Sequence, residues 1–446
     1  MLSAVNNINN NYNYGSRLQF GARGSYASLP AEHDEFVKSG DDEQNKKKMS
    51  KKKIAAIVGG IVSFGGIVTA AILCKGKTLQ PAKFAEHIDF VKANNMDEAV
   101  EFAKKHLGIK KLDLDGDVEL ANWVLEGLVK INNRFKGKAN MPKRIIIDGA
   151  YFKNNPDAIA YHSGYKHTIA INKKYFDSTI DRFKELLKEG EKAFEKRRNI
   201  GSKNSDGTMT TNEFALSVLG TPIEHIDSSH FKFVTTEFLD LGTQKALLAQ
   251  VNKFKNAPEK FSRFDAANAI MMVHDLEVSA LRIAKEPLTI IKNLFKELPE
   301  IFAQKGKTLE YYSKLSKKQQ TTECLNLMRE INKSSGKIHS VKGTVRGNNV
   351  FYAIWHEMGH LLHDMNTALK DSFWGVLSKK SYKEFKSDSN KQRIAGIVSL
   401  YGQTNPKEFV AECFQAMCSG KKLPDEVMKL YKFYKGPMLP AMETAA

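Results

Sequence analysis

The chain has 446 residues, 42% of them hydrophobic, and a formal net charge of +18. That is enough chain for a real core and for two or three domains. The basic excess is diffuse and no helix-turn-helix, finger or RNA-binding signature accompanies it, so no nucleic-acid partner is expected and the charge points to an anionic environment or acidic partners.

Residues 1–45, rich in Asn, Tyr and charge, read as a disordered tail. Residues 46–77 read as a basic flank and a single transmembrane helix. Ile54–Cys74 is 21 residues without a charge, the length needed to cross a ~30 Å hydrocarbon core. Six lysines precede this stretch (Lys46, Lys47, Lys48, Lys51, Lys52, Lys53) and three follow it (Lys75, Lys77, Lys83). That bias predicts a cytoplasmic N-terminus with the large domain outside. The pairs Gly59/Ser63 and Gly66/Ala70 favour helix–helix self-association in the membrane.

Residues 80–177 form a helical and then α+β region. Apolar residues recur at helical spacing at Phe84, Ile88 and Val91, at Ala99, Phe102 and Ala103, and at Trp123, Val124, Leu128 and Ile131. Two strand signals follow, Arg144–Asp148 and His167–Asn172. The second is read as the edge strand that pairs with an extended substrate. Residues 178–345 read as a helical insertion, clearest at Asp181–Arg197 and Lys245–Phe261, and residues 346–440 as the helices of the site. Asp113–Asp117 and Ser202–Glu213 have acidic spacing reminiscent of calcium loops. The first has Val118 where Gly is required and the second starts on Ser, so both read as polar loops. The cysteines, Cys74, Cys324, Cys413 and Cys418, show no Cys-x-x-Cys clamp or disulfide framework, and Cys413 and Cys418 read as buried thiols.

The chemistry is concentrated at His356-Glu357-Met358-Gly359-His360. On a helix, His356 and His360 stand one turn apart on one face, which suits two corners of a tetrahedral zinc site. Glu357 lies one step round, able to reach a zinc-held water without ligating the metal. The flanks (Phe351, Tyr352, Ile354, Trp355, Leu361, Leu362) are apolar, and a buried helix needs a reason to carry such polar groups. A metzincin would have Gly at 363 and His at 366, whereas the chain has His363 and Asn366. His363 is read as structural because a catalytic zinc keeps one position open. Asp364, one turn on, is a lesser candidate for orienting His360, and Gly359 is read as allowing close helix packing. Downstream, Asn405-Pro406 marks a helix start. Glu408 and Glu412 then share a face among Phe409, Val410, Ala411 and Phe414; one can bind zinc while the other holds a ligand histidine.

The segments HEMGH and SLYGQTNPKEFVAECF resemble the catalytic domain of anthrax toxin lethal factor and related gluzincins, over about residues 350–418. The resemblance implies one Zn2+ per chain held by His356, His360 and Glu408, with Glu357 as general base. It also implies Tyr401 as hydrogen-bond donor to the oxyanion and Glu412 behind the ligands. Substrate and toxicity do not carry over, and lethal factor lacks a membrane span. The expected fold is α+β and helix-dominated, a zincin-like unit with a small sheet. The expected function is a membrane-anchored zinc endopeptidase acting on protein or peptide substrates. The competing reading is a membrane-anchored binding or scaffold protein with a structural or inactive zinc site, which would have no use for Glu357.

Overall fold

The computed structural model describes residues 84–156, 158–164, 166–199, 210–221, 239–335, 344–347, 349–367 and 375–439. The tail, the Ile54–Cys74 stretch, Cys74 itself and most of Ser202–Glu213 lie outside them. Among the described residues, no helix is long and apolar enough to cross a membrane.

Residues 84–93 run without helix, contrary to the spacing of Phe84, Ile88 and Val91, and Val91 is exposed. The cause lies in the partner they meet. After α1 (Met96–Leu107) comes α2 (Val118–Arg134), whose asparagines grip the incoming backbone. Asn133 accepts from Ile88 N at 2.9 Å and donates to Ile88 O at 2.9 Å. Asn122 does the same for Ala93, and Asn132 donates to Ala85 O. These side-chain amides satisfy backbone groups that a helix would otherwise pair internally.

Between α1 and α2 lies a strand that the sequence did not announce, β1 (Lys111–Asp113). The acidic loop after it has a local use: Asp117 caps α2 by accepting from Leu120 N. The next elements are β2 (Arg144–Ile147), α3 (Gly149–Asn154), β3 (Ala160–Ser163) and β4 (Thr168–Ile171). They form one mixed sheet in the order β1-β2-β4-β3. β1, β2 and β4 are parallel, with Ile145 opposite both Leu112 and Ile169. β3 is antiparallel to β4, with His162 opposite Ile169. Both expected strands therefore form, but the edge assignment is corrected. β4 is flanked on both sides and all four of its residues are buried. Among the described residues the edges are β1 and β3, and the Ala-Tyr-His-Ser run of β3 has no β-branched residue to advertise it. One sheet face packs Ile145, Ile169 and Ile171 into the main core, and the other meets Phe152.

Helices then take over: α4 (Lys173–Asn199), α5 (Thr211–Leu216), α6 (Leu241–Asn256), α7 (Arg263–Lys285), α8 (Pro287–Glu297), α9 (Pro299–Lys305), α10 (Leu309–Lys314) and α11 (Lys317–Ser335). They close round a second core that includes Leu247, Met272, Leu276, Ile291, Phe302 and Leu327. α4 and α7 also serve the main core through Phe176, Phe264 and Met271. Arg263 fastens the two parts, reaching Asp117 at 2.5 Å, Asp177 at 2.6 Å and Glu119 at 3.0 Å.

The chain ends in α12 (Tyr352–Asn366), α13 (Lys379–Ser387), α14 (Ser389–Val398), α15 (Pro406–Cys418) and α16 (Asp425–Phe433). α12 runs through the main core against α2. Trp355 Nε1 donates to Gly127 O and Trp123 Nε1 donates to Val350 O, both at 2.9 Å. Each indole thus buries its ring while satisfying its one donor. Cys324, Cys413 and Cys418 are fully buried. The fold is helix-dominated α+β with a small mixed sheet.

Removing the asparagine clamp tests its weight. Asn133→Ala is expected to destabilise the protein by about 1–3 kcal/mol. Urea unfolding would measure this, and amide exchange at Ile88 should accelerate by more than that at α2.

Candidate metal centre

α12 and α15 cross at small residues. A methyl group on Gly359 would lie 3.0 Å from Ala411 Cα and 3.2 Å from Phe414 Cβ. This approach brings the α12 imidazoles to the first turn of α15. That turn is fixed by Asn405, whose Oδ1 accepts from Lys407 N and Glu408 N at 2.9 and 3.0 Å, with Pro406 opening the helix. Glu408 therefore lies where the helix dipole favours a carboxylate.

Three donor atoms converge. His356 Nε2 is 3.0 Å from Glu408 Oε2, His360 Nε2 is 3.2 Å from the same oxygen, and the two Nε2 atoms are 3.1 Å apart. Atoms bound about 2.0–2.1 Å from one ion at tetrahedral angles stand about 3.3 Å apart, close to what is seen. His356 Nδ1 lies 2.9 Å from Glu412 Oε1. With its proton directed there, His356 turns the lone pair of Nε2 inward. Lone pairs this close repel unless a positive charge sits among them. Burial pushes His356 down, but Glu408 and Glu412 outweigh it and raise it well above the usual imidazole range. Burial likewise pushes Glu408 up, and the two histidines pull it well below the usual carboxylate range. The cluster favours positive charge, and His356, His360 and Glu408 can hold a metal ion.

Glu357 is buried, and its Oε1 has no hydrogen-bond partner among the described residues. Burial pushes its carboxyl up to about 6, against the pull of the two histidines. Buried polar atoms are rarely left without a partner, which sets Glu357 apart from the carboxylates around it. Tyr401 lies on the 3-10 turn Tyr401–Gln403, buried, with its ring 5.8 Å from that of His356. The six residues singled out from the sequence are thus brought to one place.

His363 points away. Its Nε2 donates to Tyr434 O at 2.6 Å, tying α12 to the end of α16, and burial pushes it down to about 4. Asp364, expected beside His360, is engaged by Lys407 at 3.3 Å and His162 at 3.5 Å. Two contributors were not legible in the sequence. His162, on edge strand β3, stacks on His360 with ring centroids 6.0 Å apart. It has no ligand spacing, and only a recognised strand would have put it on the face shared with Ala160. Arg346, in an irregular stretch before α12, is 3% exposed and donates through Nε to Glu412 Oε2 at 2.7 Å. A lone arginine in a polar loop carries no such signal.

No family model matches the chain, and neither does any curated protein or solved structure.

Two measurements probe this arrangement. Gly359→Ala is expected to cost about 1–3 kcal/mol by overpacking and to weaken Zn2+ binding in calorimetric titration, because the methyl pushes the ligand helices apart. His363 binds its proton more weakly when folded, so it stabilises the protein above about 6.5 and that contribution is lost as pH falls toward about 4. The loss is roughly 3 kcal/mol in metal-free protein. His363→Gln, which keeps the donor but does not titrate, should flatten the acid limb of stability against pH.

Proposed function

We propose that this chain is a membrane-anchored, zinc-dependent endopeptidase of zincin-like, glutamate-ligated type. The observation that carries the reading is the convergence of His356, His360 and Glu408 beside the unpartnered carboxylate oxygen of Glu357. Two imidazoles and one carboxylate are a donor set suited to zinc with a position left for water or substrate. When bound, the metal would supply Lewis acidity to a peptide carbonyl and to water.

The remaining steps fall to the protein. Glu357 takes the proton of the attacking water and passes it to the leaving amine; its raised affinity for a proton suits both directions of transfer. Tyr401 stands beside His356 to donate a hydrogen bond to the oxygen that becomes negative. Glu412 keeps His356 in one tautomer. β3 pairs with β4 on one side only, and its His162 stacks on His360. An extended peptide adding to β3 would lie alongside the metal helix, which supports a peptide substrate. Anchoring rests on the 54–74 stretch and its lysine flank. A structural zinc site gives no account of Glu357.

The test compares zinc content and cleavage of a peptide library for wild type and Glu357→Gln. Retained zinc with turnover lowered about 10²–10⁴-fold is expected. Wild type that binds zinc but cleaves nothing would favour the scaffold reading, and wild type that binds no zinc would end the enzyme reading.

A further inference from the structure

A line of buried charge leaves the metal cluster and reaches the helical region. His356 Nδ1 lies 2.9 Å from Glu412 Oε1, and Glu412 Oε2 accepts from Arg346 Nε at 2.7 Å. Arg346 Nη1 then lies 3.6 Å from Asp275 Oδ1 on α7. Arg346, Asp275 and Glu412 are 3%, 3% and 1% exposed.

We propose that Arg346 is a positioning residue for the metal centre, acting through Glu412 on the orientation of His356, with Asp275 facing its far end. The inference rests on the metal reading above. A carboxylate can hold an imidazole only if its own orientation is fixed. Glu412 ends a flexible side chain, and one oxygen is given to His356. The planar guanidinium takes the other oxygen and removes the freedom of the carboxylate to rotate. Asp275 places a carboxylate 3.6 Å from the far end of Arg346. The consequence reaches beyond the site: α7 belongs mainly to the helical core, so packing there bears on how well the metal is held.

The experiment is a double-mutant cycle on the full-length chain, with Arg346→Met, Glu412→Gln and the pair. Zn2+ affinity is measured by competition with a chelator, and the visible absorption of the Co2+-loaded protein reports ligand geometry. Arg346→Met is expected to weaken Zn2+ binding about 10–100-fold and to shift the Co2+ bands. In the Glu412→Gln background the same change should cost less than about threefold, because the path is already broken. Circular dichroism of the metal-free proteins checks the fold. Should Arg346→Met not fold, the cycle is run with Arg346→Lys, which keeps the charge but not the planar fork. Wild-type affinity and Co2+ bands in the Arg346 variant, or equal losses in both backgrounds, overturn the proposal while leaving the metal reading intact. Wild type that binds neither Zn2+ nor Co2+ overturns both.

Discussion

Where α12 crosses α15, Gly359 offers bare backbone to Ala411, and the helices come close enough for side chains from both to share one set of donor atoms. The first turn of α15 would otherwise stand too far off for Glu408 to meet two imidazoles from α12. The approach is set by small residues at the crossing and by large ones around it. Phe414 fills the neighbouring space beside Gly359. The reciprocal indole hydrogen bonds to α2 hold α12 from its other side.

Such a crossing buries an unusual amount of charge. Glu357, Glu408, Glu412 and Asp275 are all nearly inaccessible. A buried carboxylate is strongly unfavourable unless something opposes it, and each of these is answered differently. Glu408 has the histidines and the start of a helix. Glu412 has His356 and Arg346. Asp275 has Arg346 at a longer distance, and burial raises it to about 6. Glu357 has the least help and is raised to about the same value. Thus the most fully compensated carboxylates stay ionised and hold geometry. The two with less compensation, Asp275 and Glu357, hold protons more readily.

The sheet contributes an edge. Because β4 is enclosed between β2 and β3, the sheet's edge on the flank of α12 is β3, with β1 at the other end, among the described residues. Asp364 reaches across from α12 to His162 and is held by Lys407, the neighbour of Glu408. Edge strand, metal helix and ligand helix are therefore joined at one carboxylate.

Much of this was readable in the residues themselves. The i, i+4 histidines, the Asn-Pro helix start and the glutamate pair follow from local geometry, since helical spacing alone places each set on one face. The isoleucine run of β2 and the alternation of β4 were legible for the same local reason. What the sequence could not supply were facts that depend on what a segment meets. Phe84, Ile88 and Val91 have helical spacing, yet asparagines of α2 claim that backbone. β1 and β3 are too short and too poor in β-branched residues to be strands by propensity, and form because β2 and β4 present edges to them. Arg346 and His162 look like ordinary loop residues until burial and proximity give them partners. Sequence determined which side chains could carry the chemistry, because their spacing along a helix is local. Tertiary structure decided which of them meet, because convergence depends on how closely two distant helices pack.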